Sequence, residues 1–299
     1  MKSVATIIAG ESFNFNQKEA DHIIDSISHS GGIVENIFWL SKDKALDIHF
    51  AVLPEEEVRE ILSALLGSFD LDFIVQPTSG RRKKLLISDM DSTIIQQECI
   101  DELADCLGLK PQISAITEKA MNGELDFKSA LRERVGLLKG LPEGKLQEVY
   151  DIRITYTKGA KELCATMKAH GAKCVLVSGG FTFFTSRVRA HCGFDVDESN
   201  ILEIAEGKLT GRVIEPILDS QSKLNALLYH CEELGIRPSN SIAIGDGAND
   251  IPMIKHSGLG IAFHAKQNVK NQAIHHINTP DLRHMLYAQG YKDSEIISG

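Results

Sequence analysis

Three short apolar runs, each broken off at once by polar residues or glycine, constrain this chain more than any other feature. Leu85-Leu86-Ile87 runs into Ser88 and Asp89, Cys174-Val175-Leu176-Val177 into Ser178, and Ser241-Ile242-Ala243-Ile244 into Gly245 and Asp246. Short apolar runs without alternation suit strands covered on both faces, as in a parallel sheet with crossover helices. Helical stretches over 160–170, 183–191 and 223–233 accompany them. Further strands are expected over 258–262 and 274–277, and a small hairpin over 209–217 because Thr210-Gly211 stands at its start. Open sheets of this kind bind ligands at the carboxyl ends of their strands, which is where the polar residues fall. The stretch 97–154 has no such run, reads as all-helical and interrupts the sheet directly after its first strand, the position of an inserted cap. The end, 287–299, reads as a surface helix and a frayed terminus.

A second pattern occupies the first quarter. Strands are expected over 3–9, 32–40, 45–53 and 71–76 and helices over 17–29 and 54–66, the second announced by Pro54 and Glu55-Glu56-Glu57. Ile48, Phe50 and Val52 alternate with polar or small neighbours, the mark of a half-buried strand. The order βαββαβ is ferredoxin-like. The chain therefore reads as α/β: a smaller ferredoxin-like domain (1–76), a linker (77–84) whose basic run Arg81-Arg82-Lys83-Lys84 is expected to be solvated, and a Rossmann-like parallel sheet (85–299) with a helical cap at about 97–154.

Composition narrows the function. A net charge of −9 argues against nucleic acid as the main partner, because phosphate backbones are held by clustered Lys and Arg. No apolar run approaches the ~18 residues of a membrane helix, and the apolar stretch near the start is too short for a signal peptide. Six cysteines without a C-x-x-C pair suit a reducing cytoplasm.

Four polar clusters stand where ligands would bind. Asp89-Met90-Asp91-Ser92-Thr93 puts two carboxylates two residues apart; a capped turn also uses such residues. An EF-hand loop is excluded, because Ile94 and Ile100 occupy the positions of its Gly and Glu. Ser178-Gly179-Gly180-Phe181 offers a hydroxyl and backbone N–H groups to a phosphate, although a plain turn would look the same. Lys223, near a helix start, would by itself be a surface charge. Gly245-Asp246-Gly247-Ala248-Asn249-Asp250 supplies two carboxylates and a carboxamide on a Gly-bracketed loop, a plausible hard-cation site.

In this order the clusters resemble the four motifs of the haloacid dehalogenase superfamily, D-x-D-x-T/V, S/T, K and G/S-D-x-x-x-D, over about 85–262. The resemblance narrows to the phosphoserine phosphatase family, which carries a Glu nine residues after its nucleophile (Glu98), an Arg in an L-R-x-R-V stretch (Arg134), and apolar cap positions at Met121 and Phe127. The first domain is similar to ACT-like amino-acid-binding domains. The resemblance implies that Asp89 attacks phosphorus to form an aspartyl-phosphate and that Asp91 serves as general acid and then base. It implies Mg2+ on Asp89, the Asp91 carbonyl and Asp246, with Asp250 supporting it. Lys223 would tie nucleophile to phosphate, and Ser178, Gly179 and Asn249 would bind phosphate oxygens.

O-phospho-L-serine is the substrate implied, in the last step of serine biosynthesis, with Glu98 on its ammonium, Arg134 on its carboxylate, and Met121 and Phe127 lining its pocket. Rival readings are a phosphatase for another small phosphomonoester, a phosphotransferase, or an amino-acid sensor on a dead phosphatase fold. The first domain would bind an amino-acid effector or pair into a homodimer.

Overall fold

The computed structural model describes residues 2–13, 15–67, 69–121 and 125–299, the side chain of Met121 excepted. The first unit runs β1 (Ser3–Ala9), α1 (Gln17–His29), β2 (Ile33–Ser41), β3 (Ala45–Ala51), α2 (Glu55–Leu66) and β4 (Leu71–Pro77). Its antiparallel sheet has the order β2-β3-β1-β4. α1 begins at a capping box: the Lys18 N–H donates to Asn16 Oδ1 at 2.9 Å, and the Asn16 N–H donates to Glu19 Oε2 at 3.3 Å. Ala20, Ile23 and Ile27 of α1 and Val58, Leu62 and Leu66 of α2 face one side of the sheet, where Ile7, Leu46, Ile48 and Phe50 meet them.

The opposite face is covered too. Ile8, Leu40, Ala45 and Ile74 join the large core of the rest of the chain. The alternation expected of 45–53 is overridden accordingly: Ala45 to Ile48 are all buried, and the strand ends at Ala51. Val52 lies beyond it, exposed and in the left-handed region (φ 80°).

The basic run is solvated only in part: Arg82 and Lys84 are exposed, whereas Arg81 and Lys83 turn inward. Arg81 Nη1 and Nη2 donate to Asp47 Oδ2 and Oδ1 at 2.6 and 3.0 Å, with Nη2 also on the Thr6 hydroxyl at 2.9 Å. Lys83 is buried, its ammonium donating to the Gly80 and Ser239 carbonyls at 2.9 and 3.0 Å. Asp72 accepts the Asn278 and Thr279 N–H groups and the Thr279 hydroxyl, 2.8–3.0 Å away. Because an unpaired buried charge is costly, these groups fix how the small sheet docks.

The second sheet contains β5 (Leu85–Ser88), β6 (Lys173–Phe181), β7 (Val196–Ala205), β8 (Lys208–Ile214), β9 (Ser241–Gly245), β10 (Leu259–Phe263) and β11 (His275–Ile277), in the order β11-β10-β9-β5-β6-β7-β8. All its neighbours are parallel except β7–β8. Between β5 and β6 come α3 (Cys99–Asp105), α4 (Lys110–Met121), α5 (Phe127–Leu137) and α6 (Gly144–Arg153), the helical cap, and then α7 (Ala160–Ala169). α8 (Thr182–Cys192) follows β6, α9 (Ser220–Glu233) precedes β9, and α10 (Ile251–His256), α11 (Gln267–Lys270) and α12 (His284–Ala288) are the remaining α-helices among the described residues. The expected hairpin is misplaced in sequence: its arms are β7 and β8, and its turn is Glu206-Gly207, both with positive φ (52° and 70°). The expected surface helix at the end is instead α12, ending at Ala288, with Tyr287 and Tyr291 buried.

Candidate active site

Asp89 follows β5, and its N–H donates to the Ile244 carbonyl of β9 at 3.0 Å, so the first and fourth motifs are stitched together at the sheet's carboxyl end. Beyond Asp89 the chain tightens around the Met90 carbonyl, which accepts the Thr93, Ile94 and Ile95 N–H groups. Ser92 there takes a left-handed φ of 53°. This turn aims Asp89 and Asp91 into one cavity of about 270 Å³ that also exposes Glu98, Phe127, Arg134, Ser178, Gly179, Asp246 and Asn249. Ten expected side chains or glycines thus converge, if Lys223 beneath the floor is counted. Met121 closes α4, but its side chain lies outside the described residues.

Lys223 is not a surface charge. Its side chain is 2% exposed and reaches Asp89 Oδ1 at 2.8 Å and Asp250 Oδ1 at 2.6 Å. Burial alone would lower its ammonium, but the Asp250 and Asp89 carboxylates override this and hold it above the usual lysine range. Asp250 Oδ2 accepts the Gly247 N–H at 3.0 Å, so both its oxygens are engaged. Burial and the Asp89 charge push its carboxyl up to about 7 despite Lys223. A Cβ at Gly245 would collide with the Asp250 side chain, so only glycine lets the loop pass there.

Asp91 Oδ1 accepts the Cys99 N–H at 2.9 Å and Oδ2 accepts the Ser178 hydroxyl at 3.0 Å. Burial raises its carboxyl, and the neighbouring Asp89 charge adds to the rise. Ser178 also accepts the Gly180 N–H at 2.8 Å, so this hydroxyl, expected to meet phosphate, here supports Asp91. Glu98 Oε1 accepts the Ser92 hydroxyl at 2.7 Å; burial and then Asp91 push Glu98 up to about 7. Arg134 Nη1 donates to the Thr117 hydroxyl at 3.1 Å and Nε to the Ala130 carbonyl at 3.3 Å, while burial lowers its guanidinium against the pull of Glu98. Thr117 and Ser92 were not among the expected site residues. Ser92 sits inside the first motif and was available to sequence reasoning, whereas a threonine in mid-helix carries no such signal.

Five carboxylates (Asp89, Asp91, Glu98, Asp246, Asp250) face two fixed cations (Lys223, Arg134), and such an excess calls for another positive charge. Ligand atoms of Asp89, Asp246 and Asp250 lie within 4.8 Å of one another. Asp246 Oδ1 accepts the Thr93 hydroxyl at 3.3 Å, and its carboxyl is raised well above the usual range by burial, Asp89 and Asp250. An all-oxygen set of this kind fits a hard divalent cation.

A family model described as haloacid dehalogenase-like hydrolase matches residues 86–255. The phosphoserine phosphatase of a Polaromonas species is 48% identical over 208 residues, covering 68% of this chain and 88% of that protein. The phosphoserine phosphatase of Saccharomyces cerevisiae is 38% identical over 99% of this chain and 98% of its own. Among solved structures, a haloacid dehalogenase family hydrolase from Salmonella enterica serovar Typhi aligns with a TM-score of 0.82 at 32% identity, covering 98% of this chain and 99% of that one. A phospho-aspartyl intermediate analogue of a phosphoserine phosphatase aligns at 0.65 and 40% identity, covering 69% of this chain and 98% of that one.

Proposed function

Since the chain belongs to the haloacid dehalogenase-like hydrolases, among their phosphoserine phosphatases, we propose that Asp89 is the nucleophile, Asp91 the general acid and base, and Glu98 and Arg134 the readers of O-phospho-L-serine. The reaction is hydrolysis of that ester to serine and phosphate. What carries the assignment is one cavity that gathers the opposite charges of Glu98 and Arg134 together with Asp89, which Lys223 reaches from below.

The substrate presents a phosphate of about −1.5 to −2, an ammonium and a carboxylate. Arg134, already oriented by Thr117, grips the carboxylate, and Glu98 accepts from the ammonium. Asp89 attacks phosphorus in line, breaking the bond to the serine oxygen and forming an aspartyl-phosphate. Lys223 spreads positive charge over nucleophile and phosphate. The raised carboxyl of Asp91 holds a proton for the leaving serine oxygen, and the resulting carboxylate then takes one from the water that opens the intermediate. The Gly179 N–H and Asn249 side chain stand on the cavity wall for equatorial oxygens, and the Ser178 hydroxyl turns to them when Asp91 no longer accepts from it. Mg2+ on Asp89, Asp246 and the Asp91 carbonyl would offset phosphate charge, with Asp250 fixing Lys223 and the Gly247 loop around it.

We read 85–299 as the catalytic unit with its cap at about 97–154, and 1–76, joined through 77–84, as an ACT-like unit for an amino-acid effector or homodimer formation. No helix among the described residues is long and apolar enough to cross a membrane. Six unpaired cysteines suit a cytoplasmic enzyme. The test is phosphate release from L-phosphoserine with Mg2+, with EDTA, and with Asp89→Asn. Release that needs the metal and vanishes in the variant is expected; intact phosphoserine beside cleaved p-nitrophenyl phosphate would overturn the roles of Glu98 and Arg134.

A further inference from the structure

We propose that Lys128 and Arg132 are positioning residues that latch the cap shut, and that this latch sets KM for the phosphomonoester. The proposal rests on the phosphatase reading above. Phe127 and Arg134, one heptad apart on α5, face the substrate cavity. Lys128 and Arg132, four residues apart, form a neighbouring stripe on the same helix. Lys128 Nζ stands 3.0 Å from Asp219 Oδ2. Arg132 reaches Glu215 Oε1 with Nη2 at 2.7 Å and Nε at 3.2 Å. Both acceptors lie on the segment between β8 and α9, and Asp219 is the N-cap of α9, its Oδ1 accepting the Ser222 N–H at 3.0 Å. The carboxylate that starts the Lys223 helix therefore also receives the cap.

The other end of α5 is held differently. The Gly140 N–H donates to the Leu209 carbonyl at 2.8 Å, the Leu209 N–H to Leu141 at 2.9 Å, and the Glu143 N–H to Gly207 at 2.8 Å. Main-chain bonds thus tie 140–143 to the β7–β8 hairpin, while α5's first turns are tied by side-chain ion pairs. Phe127 closes over the cavity so tightly that a Cβ on Gly179 would stand 3.0 Å from its Cζ. Swinging the first turns of α5 away from Gly179 to widen this cavity would break both ion pairs. The side chains of Lys128, Arg132 and Glu215 are 41%, 53% and 57% exposed, so salt weakens the pairs. Exposed pairs are individually weak, yet a cap poised between open and closed responds to biases of that size.

The test compares wild type, the Lys128→Met/Arg132→Met double variant and the exchanged pair Arg132→Glu/Glu215→Arg on phosphoserine from low to high NaCl, with p-nitrophenyl phosphate in parallel. The double variant is expected to raise KM about two- to thirtyfold, the span of two exposed pairs. Its kcat is expected to stay unchanged or rise, because opening for product release becomes easier. Wild-type KM should climb more steeply with salt than the double variant's, and the exchanged pair should recover most of the lost affinity. Unchanged KM and salt slope would overturn the latch; so would kcat and Tm falling together with no recovery in the exchanged pair. A wild type that cleaves only the nitrophenyl ester sinks the substrate reading instead, and the same salt comparison on that ester still decides the latch.

Discussion

The pH dependence of substrate capture follows from Glu98. Its carboxyl is pushed up to about 7, first by burial and then by the charge of Asp91, while the Ser92 hydroxyl opposes the rise. Only the ionised form can accept the substrate ammonium, and an ammonium bound beside it favours that form. Apparent affinity is therefore full well above pH 7 and is lost as pH falls through that value. With a midpoint of about 7, the ionised fraction is about nine-tenths at pH 8 and about one-tenth at pH 6, so KM should rise up to about tenfold between them. The phosphate, with a second pKa near 6, adds a factor of about two over the same interval. Initial rates of phosphate release, at saturating Mg2+, would be measured across this range on phosphoserine and on the same ester lacking the amino group. The wild type should show the large change on phosphoserine alone, and Glu98→Gln should flatten it to the twofold residue on both. A wild-type KM that moves no more than twofold, or a Glu98→Gln profile that keeps the tenfold change, would refute this account of Glu98.

Three further outcomes follow from the same geometry. Gly180→Ala would place a Cβ 2.6 Å from Asp91 Oδ2 and 3.0 Å from Ser178 Oγ; kcat should drop at least about tenfold, more than KM moves, in steady-state kinetics. Arg81→Ala leaves Asp47 buried without its cation, so chemical denaturation should show a loss of about 3 kcal/mol while KM for phosphoserine stays within twofold. Glu98 and Asp250 are pushed up to about 7 when folded, while burial pushes His275 and His284 down to about 3 and 4, so the two sets oppose each other below the ordinary histidine range and only above it does the metal-free folded protein hold more protons than the unfolded chain. Its stability should therefore fall as pH rises from about 6.5 to 8, and Mg2+ should reverse the fall in thermal melts.

The acids of the motifs were legible only as part of an ordered set: a capped turn explains Asp89 and Asp91 by themselves, but not three polar clusters at successive strand ends with a lysine among them. Lys223 was legible only by resemblance: a lysine's burial depends here on Asp250, a full helix and strand later in the chain, and nothing local announces it. The opposite error befell Arg81 and Lys83. A basic run after a proline reads as solvent-facing, yet Asp47 and the Ser239 carbonyl, both distant in sequence, draw these side chains inward. The hairpin shifted because two glycines, Gly207 and Gly211, both take positive φ, and only the one preceded by left-handed Glu206 makes the reversal. The ferredoxin-like order was readable from periodicity, but burial of its second face was not, since Ile8 and Ile74 would look the same on an open sheet.

That doubly covered sheet has a consequence for synthesis. Its strands can pair as soon as the first quarter of the chain has left the ribosome, but Asp72 finds Asn278 and Thr279 only after 206 and 207 further residues. Closing so long a loop adds little entropy beyond a shorter one, so the delay is one of order, not of energy. Through most of translation Ile8, Leu40 and Ile74 lie bare on a finished sheet, and the strand holding Asp72 has an open edge of the kind that recruits other chains. α12, with Tyr287 and Tyr291, comes late in the chain, packs against β1 and joins the same core. A ribosome stalled before that segment would hold a nascent chain with the acids of its active site already built and its first domain still prone to aggregate.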